Sequence, residues 1–411
     1  MTAAQARPAG PRAALGLIRS REFGPYFVGN ASSATGTWFQ NLAAQLLVYR
    51  LTHSPFLLGV LNFCNFIPVL VLAPWAGSAA DRFDRRRLLV VTQLAATALG
   101  GALAALAWAG AADEWVVIGF AVGLGISSAF SAPASTALIS QLVDRHDLPS
   151  AVALNSMTFN IARAVGPALA ALSVKKLGIP ASFAINAGSY LAFVTALVVM
   201  QPRPVPPGRR EETRLRESLA LVRRTPRLLV FLLIVAAVGF ASDPVNTEAP
   251  AFARAFGFRD TAAGWIIGAF GLGAVTAAFL VAGRVAGSRR RMTATLMLLG
   301  CGVVGFALSP WLTLGFVFLA AAGFGYLASN THATSRLQLE VAEHHRGRIM
   351  ALWSVAFLGL RPLASLADGA VAGAFGVRTA GVCLSLPVFA LAGIVGLRGR
   401  KRSQIAAAAP P

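Results

Sequence analysis

The chain has 411 residues, 56% of them hydrophobic and only 13% charged, with a formal net charge of +20. Soluble proteins carry about 25% charged residues, so this composition excludes an ordinary water-soluble enzyme or binding module. The basic residues follow the gaps between apolar blocks and do not gather into a nucleic-acid-binding module, so no nucleic-acid partner is expected.

The apolar blocks are about 20 residues long, the length that crosses a bilayer. Without water in the hydrocarbon core, each block must satisfy its own backbone and so forms a helix. Twelve spans are predicted, at roughly 23–49, 55–76, 88–110, 115–138, 148–174, 180–200, 227–250, 261–283, 292–309, 311–335, 348–372 and 378–397. Assigning the N-terminal segment and every second loop to one side puts 28 of the 36 Lys and Arg residues there, against six opposite. Positive residues stay cytoplasmic. The expectation is a multi-pass protein of the plasma (inner) membrane with both termini cytoplasmic. Residues 1–22 make a cytoplasmic N-terminal segment, 23–200 a six-helix bundle, 201–226 a cytoplasmic linker, 227–397 a second six-helix bundle and 398–411 a cytoplasmic tail. The linker is expected to start extended at its prolines and continue as a surface helix over Arg209–Arg224, and the tail to be disordered from Ala406. No removable leader is evident. Cys64, Cys301 and Cys383 all lie in apolar blocks, so no disulfide framework is expected.

The first span carries Asn30, Ser33, Thr37, Asn41 and Gln45 at steps of three and four, hence on one helix face. That face lines a cavity or bonds to other helices, with Trp38 and Gln40 beside it. The gap after the second span reads Gly77-Ser78-Ala79-Ala80-Asp81-Arg82-Phe83-Asp84-Arg85-Arg86-Arg87. The fifth span holds Arg163, then Gly166-Pro167, where a proline removes one helical bond and can kink the span. In the seventh span Asp243 shares a face with Asn246 and Thr247, and Glu248 follows. Asp243 is the first candidate for carrying a proton and Glu248 the second; an exposed helix-end role for Glu248 and a structural partnership of Asp243 with Arg163 or Arg361 stay open. Asp368 ranks third.

Arg163 and Arg361 lie 198 residues apart, and at that offset Ala153-Leu154-Asn155-Ser156 falls on Ala351-Leu352-Trp353-Ser354 and Phe159 on Phe357. The unit is therefore expected twice, in parallel, with a solute path between the copies. A guanidinium is costly in hydrocarbon, so the two arginines flank that path as an anion-binding pair or act as helix-to-helix locks.

Glycine, three residues, Asp-Arg and a basic pair between the second and third spans resembles the signature of the major facilitator superfamily, with Asp84 where a second glycine is usual. The resemblance implies an all-α integral membrane fold, twelve transmembrane helices in two six-helix pseudo-symmetric halves. It also implies a gate of Gly77, Asp81, Arg82, Arg85 and Arg86, with Asp81 acting on the start of the eleventh span near Gly347–Arg348. The counterpart gap Gly283–Arg291 has no acid. Gly166-Pro167 is similar to the signature of exporters that exchange drug for proton, although Ala162, Ala170 and Ala171 stand where glycines are common. Arg346–Leu363, with Trp38 and Leu47–Thr52, looks like the branch of enterobactin exporters and macrolide-efflux-like permeases.

These resemblances imply a secondary active efflux permease. It would export a small amphipathic, siderophore-like or drug-like solute by proton antiport, with Asn30, Thr37, Asn41, Gln45 and Asn246 lining the cavity. A non-transporting sensor or scaffold on the same fold, or an importer, are the alternatives. A monomer is expected, with no enzyme activity, no cofactor and no metal. There is no Gly-x4-Gly-Lys phosphate loop, His344-His345 is read as solvated loop, and Gly271, Gly273, Gly323 and Gly325 as helix-packing positions.

Overall fold

The computed structural model describes residues 11–144, 146–200, 225–281, 289–341, 349–350 and 352–407. Every regular element among them is helical. In chain order they are α1 (Pro11–Ile18), α2 (Phe23–Thr52), α3 (Pro55–Val71), α4 (Ala73–Arg82), α5 (Arg85–Trp108), α6 (Glu114–Leu142), α7 (Leu148–Leu177), α8 (Ile179–Val199), α9 (Pro226–Thr247), α10 (Ala249–Ala255), α11 (Ala263–Val281), α12 (Arg289–Leu308), α13 (Leu312–Leu339), α14 (Arg361–Phe375) and α15 (Val377–Ala407). Ten described helices are long and apolar enough to cross a membrane, or eleven if α3 and α4 form one bent span. The 30-residue α2 is long enough as well, but its amides and hydroxyls lower its hydropathy.

Most helix ends follow from local chemistry. Asp84 caps α5, accepting a bond from the Arg87 backbone N–H at 2.8 Å, and Asp113 caps α6 through Val116 in the same way. Gly178, with φ +88°, separates α7 from α8 in a conformation that suits a residue without Cβ.

Three expectations are corrected and one span proves irregular. The gap at Gly77–Arg82 is helix, not loop: α4 follows α3 at a 53° bend, next to Pro74 at the start of α4. The seventh span ends at Thr247, and α10 begins two residues on. The eleventh span is widened into a π-turn over Val355–Gly359 before α14 starts at Arg361. Pro362 offers no N–H to the carbonyl of Leu358 and crowds it, which a wider turn relieves. Finally, α15 remains helical through Ala407, past the expected onset of disorder at Ala406. The linker residues 201–224, His344-His345, Gly347 and Arg348 lie outside the described residues.

The chain forms two compact units, residues 1–44 with 67–209, and residues 45–66 with 210–411. The segment 45–66 therefore groups with the second unit. Its contacts explain this: Gln45 donates to the Asn246 carbonyl at 3.0 Å, Arg50 pairs with Asp260, and Gly59 meets Gly369 so closely that a Cβ on either glycine would stand 2.8 Å from the other's Cα. The first unit packs α5 against α6 and α8, around a core containing Phe23, Tyr26, Leu138, Phe193 and Leu197. In the second unit α13 packs on α11 and α12. Gly273 and Gly323 sit at the first of these crossings, each facing a backbone carbonyl of the other helix, Ala320 and Phe270 respectively.

Candidate functional site

The first unit contains a cavity of about 190 Å³. Its wall is made by the polar face of α2 (Asn30, Ser33, Thr37), by Gln93 of α5 and by Ser127, Ser128, Ser131 and Ser135 of α6. Rings (Trp38, Phe159, Tyr190 and Phe193) and small or aliphatic side chains such as Leu89 and Leu124 make the remainder. No charged side chain is among the lining residues. The polar groups also tie helices together. Ser33 donates to the Gln93 amide oxygen at 3.1 Å, Asn30 to Asn155 at 2.9 Å, and Thr37 meets the Tyr190 hydroxyl at 3.2 Å. Cavity lining and interhelical bonding are thus both properties of this face.

Asn30 and Thr37 line the cavity. Asn41 lies half-buried on the same helix. Gln45 and Asn246 belong to the second unit, where each is buried and they bond to one another. Gln93, Tyr190 and the α6 serines line the cavity too, beyond the residues expected from the sequence. Ser127, Ser131 and Ser135 recur every four residues, a stripe as regular as that of α2.

Arg163 is buried in the middle of α7, its guanidinium 5.6 Å from the centroid of the Trp38 ring. Arg361 opens α14 with its guanidinium 4.4 Å from the Phe66 centroid. Each guanidinium faces an aromatic ring of another helix, a favourable cation–π arrangement. Gly166 lies against α2: a Cβ there would meet Trp38 Cβ at 2.8 Å and the Thr35 carbonyl at 2.9 Å. The helix runs unbroken through Pro167.

The second unit buries three carboxyls near the end of α9. Asp243 accepts bonds from Thr247 at 2.9 Å and from Ser365 of α14 at 3.1 Å. Glu248 and Asp368 are both 0% exposed. Neither receives a hydrogen bond among the described residues. The helix-end reading of Glu248 as a solvent-exposed residue is therefore overturned. It sits in the break between α9 and α10, and Ala249–Ala253 after it are buried as well.

Of the expected gate residues, Gly77, Asp81 and Arg82 lie on α4, with Asp81 and Arg82 exposed. Arg85 donates to the Ala137 carbonyl of α6 at 3.3 Å. Arg86 donates to Leu197 at 2.5 Å and also to Val198, both at the end of α8. These two arginines staple α5 to its neighbours. Asp144, His146 and Asp147 gather at an exposed turn before α7; His146 and Asp147 are 3.1 Å apart there.

A polar, uncharged cavity and a set of buried carboxyls, both held by bilayer-length apolar helices, define a multi-pass membrane transporter. Residues 13–409 match the family described as "Transmembrane secretion effector", and the chain belongs to it. It is 26% identical to the staphyloferrin A transporter of Staphylococcus aureus, over 83% of this chain and 87% of that one. It is 25% identical to the multidrug efflux pump Tap of Mycolicibacterium fortuitum, over 89% and 92%. These relatives fall in an efflux-like branch of the major facilitator superfamily. The fold matches a bacterial homologue of the human lysosomal transporter Spinster, with a TM-score of 0.75, 15% identity, and coverage of 95% and 98%.

Proposed function

We propose that the chain is a secondary active efflux permease of the plasma membrane, exporting a small amphipathic solute in exchange for protons. In this reading it has twelve spans, α2 and the bent pair α3–α4 being the first two. It forms two six-span halves, works as a monomer with both termini cytoplasmic, and exposes its solute site to each side alternately. The efflux direction and a siderophore-like or drug-like solute are supported by the names of its relatives. Asp81 with Arg82, Arg85 and Arg86 would gate the cytoplasmic side, as the superfamily signature implies.

The observation that carries proton coupling is the burial of Glu248 and Asp368 without a hydrogen-bond donor among the described residues. An ionised carboxyl so placed is costly unless it gains a proton or a positive partner. Asp243 is already supported by two hydroxyl donors. The exchangeable proton therefore belongs to Glu248 and Asp368, with Asp243 holding the cluster in register. In proteoliposomes with an imposed pH gradient and a panel of siderophores and drugs, the parental chain should accumulate at least one compound. Glu248→Gln and Asp368→Asn should each abolish the gradient-driven component while sparing solute exchange at equal pH. Parental pumping by both variants would sink this assignment.

A further inference from the structure

The chemistry of the cavity in the first unit points beyond transport in general to one kind of ligand. We infer that this cavity takes an uncharged, hydroxyl-bearing ring, a sugar-like group, either as a free sugar or as the glycosyl part of a larger apolar compound. The inference rests on reading the cavity as the solute site.

Size comes first. A volume of about 190 Å³ equals about six waters at roughly 30 Å³ each. It lies below the roughly 300–1,000 Å³ of sites that enclose a drug-sized molecule. One ring-sized group fits inside, and the rest of a larger solute must lie elsewhere.

The hydrogen-bonding inventory sets polarity. Ser127 and Ser131 of α6 donate to carbonyls of their own helix, Gly123 and Ser128. Ser33 donates to the Gln93 amide oxygen. These hydroxyl protons are engaged, so the three oxygens present lone pairs, while Gln93 retains its NH2 as a donor. A wall with several acceptors and an amide donor suits alcohol groups, which both give and accept.

Charge disfavours the alternatives. A carboxylate or phosphate would lose its water and find no cation among the lining residues, the neighbouring Arg163 guanidinium being held over the Trp38 ring. An ammonium would find no carboxylate. Either burial is unfavourable without a counter-charge. Trp38 and Phe159, packed edge to face at 5.9 Å between centroids, supply apolar surface for the C–H face of a ring.

The test is equilibrium dialysis on the full chain in lipid nanodiscs, without any gradient. The radiolabelled probes are methyl β-glucoside, phenyl β-glucoside, glucuronate and glucosamine. The expected result is saturable binding of a neutral glucoside, with glucuronate and glucosamine at least tenfold weaker. Tighter binding of the phenyl compound identifies a glycosyl group on an apolar body; equal binding identifies a free sugar. Gln93→Leu should weaken the neutral probes at least tenfold, and Gln93→Glu should raise glucosamine binding relative to methyl glucoside at least fivefold. Ser131→Ala supplies a milder variant, expected to weaken binding about threefold, should either Gln93 variant elute as aggregate. Absence of saturable glucoside binding, or equal binding of charged and neutral probes, overturns the inference. A chain that fails here yet pumps another solute against a pH gradient loses only the ligand class. One that binds glucosides but moves nothing loses the transport reading.

Discussion

Arg86 illustrates how one residue serves packing before it serves function. Its guanidinium reaches the last carbonyls of α8 through Leu197 and Val198, groups that a helix end leaves without intrahelical partners. Hydrogen bonds involving a charged group contribute about 1.5–3 kcal/mol. Arg86→Met is therefore expected to lower the stability of the purified protein by about 2 kcal/mol, seen as an earlier thermal transition. Arg86→Lys should recover only part, since an ammonium cannot reproduce the two-pronged geometry. Unchanged melting with slowed transport would assign the residue to gating alone. The residues of the candidate site were unevenly legible in sequence. Asn30 and Thr37 stood out because polar spacing on a single helix needs no partner to be seen. Ser127 and Ser131 were as regular, but serine is also common at helix-packing positions. Gln93 carried no local signal: only the placement of α5 beside α2 brings it to Ser33. The order among the acids was set by neighbours in sequence, which favoured Asp243. Thr247 supports Asp243 from the same helix, but the Ser365 donor to Asp243 and the want of one at Asp368 among the described residues come from tertiary structure.

At the level of helices, the crossings are set by glycines. A Cβ on Gly323 would drive into the Phe270 carbonyl, and backbone there cannot step aside cheaply. Overpacking of this kind costs about 1–3 kcal/mol. Gly323→Ala is thus expected to reduce the yield of monodisperse protein and its melting temperature. Gly119→Ala, inside α6 with nothing within 4 Å of the added atom, should be neutral or stabilising by about 0.5–1 kcal/mol. Equal behaviour of the two variants would contradict the close approach of α11 and α13. Most helix positions were readable from hydropathy because bilayer-length apolar blocks admit one local solution. Bends were not. Hydropathy alone stays high from Phe56 to Ala76, and of its two prolines, Pro68 stays inside α3 while Pro74 opens α4, so only tertiary structure decides which one breaks the span. The π-turn before Pro362 left a clearer trace, since a proline within a span must be accommodated by the preceding turn.

Across the whole molecule, the two candidate sites differ by unit: the cavity in the first has no charged lining residue, the buried Arg163 guanidinium there being held over the Trp38 ring, and the carboxyls Asp243, Glu248 and Asp368 all belong to the second. If the solute group is neutral and the acids carry the protons, solute and proton do not compete for the same side chains. Every exchange of a neutral solute for a proton then moves one positive charge inward. A membrane potential of 100 mV, negative inside, is worth about 2.3 kcal/mol per charge. At about 1.36 kcal/mol per factor of ten, one proton per solute supports an outward gradient of about 50-fold without any pH difference. The measurement is solute movement in proteoliposomes under a potassium diffusion potential at equal internal and external pH. Transport should follow the potential, reverse with its sign, and vanish in Asp368→Asn. Indifference to the potential, with intact pH-driven transport, would mean that the solute itself carries a compensating positive charge, and the neutral cavity could not be where it binds.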